Sequence, residues 1–162
     1  MKNIAQAIRD DPRLSTLTAA LETANLMAEL EKTGPFTLFA PSNNAISKVL
    51  GSLPTDEAEF KKLLIRHVVP GKRITDENFS ERKEDLDTMN ADDKVTIWKL
   101  GGIKRIGFKD DIVAFVYDNE NDDMDASNGV IYIISDVLMT AKATTDPGEF
   151  TTFKILIRLV PQ

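Results

Sequence analysis

Cysteine is absent from the 162 residues, and histidine appears once. The first absence excludes disulfides, thiol catalysis and thiolate metal sites, and leaves the redox compartment open. The second excludes every metal centre built from several imidazoles. No apolar run approaches 18 residues, so the sequence carries no membrane-spanning helix. Positive charge is in deficit: 26 acidic against 20 basic residues leave a net −6. That balance argues against nucleic acid or an anionic membrane as a non-specific partner, since both demand basic surface. Met1–Asp10 lacks an apolar core of seven or more residues, so it does not read as a signal peptide. A cytoplasmic protein would look this way, and so would a mature domain without its leader. What is present fits one globular domain. Hydrophobic residues make up 42% and charged residues 28%, and a chain this long buries about 70% of its unfolded surface.

The first third reads as helical. Asp11-Pro12 supplies a capping carboxylate followed by proline at the first helical position. Leu14, Leu17, Leu21 and Ala24 follow at helical spacing, and Asn25 is suited to a left-handed C-terminus. Leu26–Glu31 predicts a second short helix, stopped by Gly34-Pro35. Phe36–Ala40 is a short apolar strand. Ser42 caps a helix carrying Ile46, Val49 and Leu50, and Asp56 with Glu59 marks the start of the next. That helix is expected to carry Phe60, Leu63, Leu64, His67 and Val68 as far as Pro70-Gly71.

Beyond Gly71 the hydrophobic period changes from 3.6 to 2. Val95–Leu100, Ile103–Phe108, Ile112–Tyr117 and Val130–Ile134 are strand candidates, with turns at Gly101-Gly102, Asp110-Asp111 and Asn128-Gly129. Thr152–Val160 alternates, with Phe153, Ile155, Ile157 and Leu159 on one face and Lys154 and Arg158 on the other. Helices first and strands later predict an α+β fold. Residues 1–139 are expected to form the domain, and 140–162 an extension with one strand packed on it.

Three segments, in order and at matching spacing, resemble the fasciclin-type domain: Gly34–Ala45 (GPFTLFAPSNNA), Leu63–Gly71 (LLIRHVVPG) and Ala126–Leu138 (ASNGVIYIISDVL). The resemblance covers about residues 3–139. It implies an α+β fold in which a β-sandwich or wedge of antiparallel and mixed strands is flanked by the N-terminal helices. It also implies adhesion or protein interaction at a cell or matrix surface. The residues themselves read as fold-determining, with Asn128-Gly129 expected to supply positive φ for a tight turn. The chain departs from the family at Arg66, where Tyr is usual, at Tyr132 and Ser135, in the acidic run Tyr117–Asp125, and in the extension from Thr140.

Candidate contact residues follow from the same resemblance. In animal members a Tyr-His pair is implicated in adhesion to integrins, and that pair falls on Arg66-His67. The other reading of His67 is a structural histidine bonding backbone beside the Pro70-Gly71 turn. A second adhesion motif of animal members, with Asp-Ile at its centre, falls on Asn121–Asp125, keeping Asp123 with Met124 in place of Ile, and makes Asp122, Asp123 and Met124 candidate contacts. Asp118, Glu120 and Asp122 alternate as calcium ligands do, yet Asp123 replaces the glycine of an EF-hand and the closing glutamate is missing. An EF-hand is excluded; a weak calcium site or a solvated hairpin tip remains. Thr152–Val160 either docks within the monomer or offers an edge for a homo-oligomer.

No nucleophile elbow, P-loop, dinucleotide fingerprint or metalloprotease helix is present. The expectation is therefore a non-enzymatic surface, secreted or periplasmic domain whose partner is a protein or glycan, with no cofactor. A calcium- or small-ligand-binding module and a passive structural domain of a longer surface protein are the alternatives.

Overall fold

Local signals set the helices. In the computed structural model, which describes residues 1–108, 111–117 and 123–139, helix α1 (Ile4–Arg9) begins at a capping box. Asn3 Oδ1 accepts the Gln6 amide at 2.9 Å, and Gln6 Oε1 accepts the Asn3 amide at 3.0 Å. This helix is not among those expected from the sequence. The Asp11 carboxylate receives the Arg13 amide at the start of a 3-10 turn, Pro12–Leu14, which leads into α2 (Ser15–Thr23). Asn25 adopts φ 58°, and bonds from Leu26 N–H to the Leu21 carbonyl and from Asn25 N–H to the Glu22 carbonyl end α2 in a Schellman motif. Helix α3 (Met27–Leu30) follows.

Strand β1 (Phe36–Pro41) leads to α4 (Asn43–Ser47), whose cap is Ser42 as expected. Leu50 does not join its apolar face: α4 has ended, and Leu50 is 61% exposed. Helix α5 (Glu57–Ile65) starts where the Asp56 carboxylate accepts the Glu59 amide at 3.1 Å. It stops three residues short of the expected Val68. The His67 ring takes the Leu63 carbonyl, and the β-branched pair Val68-Val69 leaves the helix for β2 (Val68–Pro70), antiparallel to β1.

The remaining strands are β3 (Glu84–Asp87), β4 (Lys94–Leu100), β5 (Ile103–Phe108), β6 (Asp111–Phe115), β7 (Asp123–Ala126) and β8 (Gly129–Ile134). One sheet has the order β2-β1-β8-β7 and the other β3-β4-β5-β6. The first is mixed: β8 runs parallel to β1 from Phe36↔Gly129 to Pro41↔Ile134. The second is an antiparallel meander. Gly101 and Gly102 at φ 60° and 78° make its β4–β5 turn, the geometry that a two-residue hairpin needs. The architecture is the α+β arrangement that the sequence implied.

Strand β8 is buried at every position because both faces of its sheet are covered. Leu38, Ala40, Ile131 and Ile133 pack with Ile4, Ile8, Leu17 and Leu21 from the helices. Phe39, Val130, Tyr132 and Ile134 pack with Leu86, Val95, Ile97 and Ile106 from the second sheet. Lys104 also enters this second core. Its ammonium pairs with Asp76 and lies 5.5 Å from the Phe79 ring centre.

Asn128 bolts the helices to the first sheet. Its Oδ1 accepts the Ile4 amide at 2.9 Å, and its Nδ2 donates to the Leu30 and Lys32 carbonyls at 2.7 and 2.8 Å. The expected positive φ at Asn128-Gly129 is not found; among the described residues it occurs at Asn25, Gly71, Gly101 and Gly102. Gly129 is needed for close approach instead. A Cβ there would lie 2.0 Å from the Phe36 carbonyl oxygen and 2.8 Å from Ile4 Cδ1.

Candidate interaction surface

Arg66 and His67 lie where α5 gives way to β2, and both turn inward. Arg66 Nε and Nη2 donate to Asp93 Oδ2 at 3.0 and 2.8 Å, and Nη1 donates to the Leu138 carbonyl at 2.9 Å. Asn90 Nδ2 donates to the same Asp93 oxygen at 2.9 Å. His67 Nδ1 lies 2.9 Å from the Leu63 carbonyl, and Nε2 accepts the Leu138 amide at 2.9 Å. Nε2 must carry a lone pair to accept that amide, so the ring is neutral with its proton on Nδ1. Burial pushes the His67 pKa down to about 4, and the neighbouring Arg66 charge acts the same way, against the bond to Leu63. The adjacent pair thus grips both polar groups of the Leu138 backbone.

This corrects the expectation that Arg66 and His67 touch a partner directly. Their exposures are 9% and 1%, so neither side chain presents contact area. Asp93, the counter-ion that makes burial of Arg66 tolerable, had not been singled out in the sequence. It sits 27 residues away in a polar turn, and nothing local marks it.

Asp118, Glu120 and Asp122 lie outside the described residues, as does Thr152–Val160. Asp123 and Met124 are placed only as backbone of β7. At the end of that strand Asp125 bonds Arg73 Nη1 at 3.1 Å, while Arg73 Nη2 reaches the Ala126 carbonyl at 2.8 Å. Among the described residues no three carboxylate or imidazole groups converge as a metal site would need. Shallow, open depressions surround the N-terminal helices, one of them lined by Asn3, Lys32, Gly34, Arg73 and Asn128. The chain's one imidazole is not among the residues that line it.

The surface feature that stands out is on the second sheet. Among the described residues seven large apolar side chains are exposed, and five belong to β4–β6 or their ends: Leu100 (54%), Ile103 (46%), Ile112 (50%), Phe115 (44%) and Tyr117 (40%). Their placement follows from strand alternation. Ile97, Ile106 and Ala114 point into the core, so Trp98, Arg105 and Phe115 point out. A register shift between Ile106 and Gly107 pairs Gly107 with Ile112 and turns Ile112 to the same outer face, while Val113 packs against the core. Register brings Leu100 opposite Ile103, and Trp98, Arg105 and Phe115 into one cross-strand row. The Arg105 guanidinium lies 5.3 Å from the Phe115 ring centre, and the Lys83 ammonium lies 5.0 Å from that of Trp98. These strands are legible in the sequence, whereas an apolar outer face is not among the features expected from it. The signal was present in β6, whose Ile112, Val113 and Phe115 cannot all point inward.

Comparison with known proteins agrees with this architecture. The model of the Fasciclin domain matches residues 12–140. Protein sll1483 of Synechocystis sp. is 32% identical over 142 residues, which cover 84% of this chain and 72% of that protein. Immunogenic protein MPB70 of Mycobacterium bovis is 30% identical over 145 residues, 84% of this chain and 68% of that protein. Periostin of Homo sapiens is 23% identical over 163 residues, spanning 98% of this chain but 18% of periostin. Among solved structures, a FAS1 domain pair from the insect cell adhesion molecule Fasciclin I superposes with a TM-score of 0.70 at 21% identity, covering 87% of this chain and 52% of that one. With most of its length matched by the family model, the chain belongs to the fasciclin domain family.

Proposed function

We propose that this domain is a non-enzymatic, adhesion-type interaction module that binds a surface or matrix protein or glycan through the tip of the β4–β5 hairpin. Its setting on this reading is a cell surface, the periplasm or a secreted protein. The observation that carries the proposal is the tip itself. Leu100 and Ile103 are 54% and 46% exposed on either side of the Gly101-Gly102 turn. Branched apolar side chains held in water on a rigid turn gain about 25 cal/mol for each Å² that a partner covers. Lys99 and Arg105 flank them, so a partner with an acidic rim around an apolar centre is the complement. A solved relative in fold is described as a cell adhesion molecule, which supports the same class of role. Catalysis has no support, since the only imidazole is hydrogen-bonded in the interior.

The test immobilises the full chain, exposes it to surface extract from the source cells, and compares it with Leu100→Asp/Ile103→Asp. Retention of the specifically captured partner should fall at least about tenfold, equivalent to about 1.4 kcal/mol, with an unchanged melting temperature. Equal retention by the double variant would overturn the hairpin reading. Asp122→Lys/Asp123→Lys, run with and without Ca²⁺, asks in the same assay whether the acidic segment contributes. Loss of retention there that tracks Ca²⁺ would assign a calcium site to Asp118, Glu120 and Asp122.

A further inference from the structure

Each sheet ends in two edge strands, and three of the four carry features that discourage pairing. Strand β2 is three residues long, ends in Pro70, and has its Val68 carbonyl bonded to the Met89 amide. Strand β3 bears Glu84, Asp85 and Asp87, and the β7 sequence contains Asp123 and Asp125. Strand β6 differs, because beyond Asp111 it holds only apolar residues, Ile112–Phe115. Near its end the backbone is closed by β8: Ser135 N–H donates to the Phe115 carbonyl at 3.0 Å, and Tyr117 N–H donates to the Ile133 carbonyl at 3.0 Å. The side chains of Ile112, Phe115 and Tyr117 stay 50%, 44% and 40% exposed along its outer side. An apolar stripe on an edge strand calls for cover.

We infer that the chain's own segment Thr152–Val160 covers this stripe, laying Phe153, Ile155, Ile157 and Leu159 along Ile112, Phe115 and Tyr117 and turning Lys154 and Arg158 to water. Three observations favour this occupant. The lengths agree: Ile112 to Tyr117 spans about 17 Å and Phe153 to Leu159 about 20 Å at the rise of a strand. The reach is sufficient, because Ser135 is bonded to Phe115 and the 14 residues from Met139 to Phe153 extend to about 46 Å. The connection between them contains Asp146-Pro147-Gly148, the residues of a reversing turn. The match to the Fasciclin domain ends at residue 140, ahead of this segment. This inference does not depend on the hairpin reading, because Leu100 and Ile103 are left open by it.

The absence of cysteine makes a direct test available. Phe115→Cys is combined in the full chain with one second cysteine at 153, 154, 155, 157, 158 or 159, and each pair is oxidised gently at low protein concentration. An intrachain disulfide at one or more of 153, 155, 157 and 159, at least about tenfold faster than at 154 and 158, is the expected result, since a bridge needs Cβ atoms about 3.5–4.5 Å apart. Disulfides that form only between chains would assign the stripe to a second copy and overturn the inference. Equal rates on both faces, or no bridge at any position, would overturn it as well. Amide exchange in the unaltered chain provides a readout free of substitutions. Residues 153–159 should exchange at least about tenfold more slowly than a free peptide of the same sequence, independently of protein concentration. Exchange at the free-peptide rate would refute docking.

Discussion

Acidification should destabilise this domain well before its carboxylates titrate, and His67 is the reason. An imidazole in the unfolded chain has a pKa near 6.5, whereas burial and the Arg66 charge push it down to about 4 in the fold. The folded-state pKa is the depressed one, so the unfolded state binds the proton first as pH falls. Stability is complete above about pH 6.5, declines between 6.5 and 4, and levels off once the folded ring protonates as well. At 1.36 kcal/mol per unit the loss is about 2 kcal/mol at pH 5 and about 3 kcal/mol at pH 4. With a urea m-value of about 2 kcal/mol/M, the pH 5 loss lowers the unfolding midpoint by about 1 M. Trp98 is the only tryptophan and is 5% exposed, which makes its fluorescence a natural probe of the transition. Asp11 and Asp76 are held below their ordinary 3.8 by hydrogen bonds from Arg13 and Lys104, so their contributions are lost only at lower pH. His67→Gln keeps one donor and one acceptor without the titration. It should begin less stable and show a much flatter profile between pH 7 and 5. A wild-type midpoint that moves by less than about 0.2 M across that range, or a variant with the same slope, would refute the account.

Other substitutions probe neighbouring parts of the argument. Asp93→Ala leaves the Arg66 guanidinium inside with the Leu138 carbonyl, and should cost about 3–5 kcal/mol in urea unfolding. Arg66→Met/Asp93→Leu removes both charges and should cost distinctly less, so equal losses would show that the pair matters through shape and not charge. Gly129→Ala forces a Cβ to 2.0 Å from the Phe36 carbonyl oxygen, and should lower stability by about 3 kcal/mol or more or prevent soluble folding. Gly51→Ala meets nothing within 4 Å and should stay within about 1 kcal/mol of the parent, so calorimetry on the two alanine variants separates close approach from a general glycine effect.

Much of the fold could be read locally because its signals are local. Asp11, Ser42 and Asp56 each cap the helical segment that follows, and Asn25 takes the left-handed conformation its side chain tolerates. Asn3 and Gln6 carried a signal of the same kind that had gone unread. Strand β3 was hidden for a physical reason: it is an edge with one buried residue, Leu86, among three acids, so it shows no apolar period. Val68-Val69 is compatible with a helix or a strand, and pairing with β1 decides between them.

The candidate site was less legible, because its determinants are tertiary. Arg66 reads as a surface cation until Asp93 and Leu138, 27 and 72 residues away, are brought to it. The residues that made the family recognisable are those that the fold takes inside. His67 holds Leu138, Asn128 bolts the helices to the sheet, and Gly129 lets Phe36 and Ile4 approach. Such residues specify an architecture, and architecture does not name a partner. Recognition must instead come from side chains that folding leaves outside. In the sequence Leu100 and Ile103 are members of apolar strands, and alternation alone does not say which strand face is covered. Sheet order supplies that information: two sheets and one helical layer enclose two cores, which leaves the second sheet with an outer face that no described layer covers. An apolar group on that face gains by association, whereas the same group on the inner face gains by folding. The proposed partner contact therefore lies at the β4–β5 tip, on Leu100 and Ile103, away from the residues that mark the family.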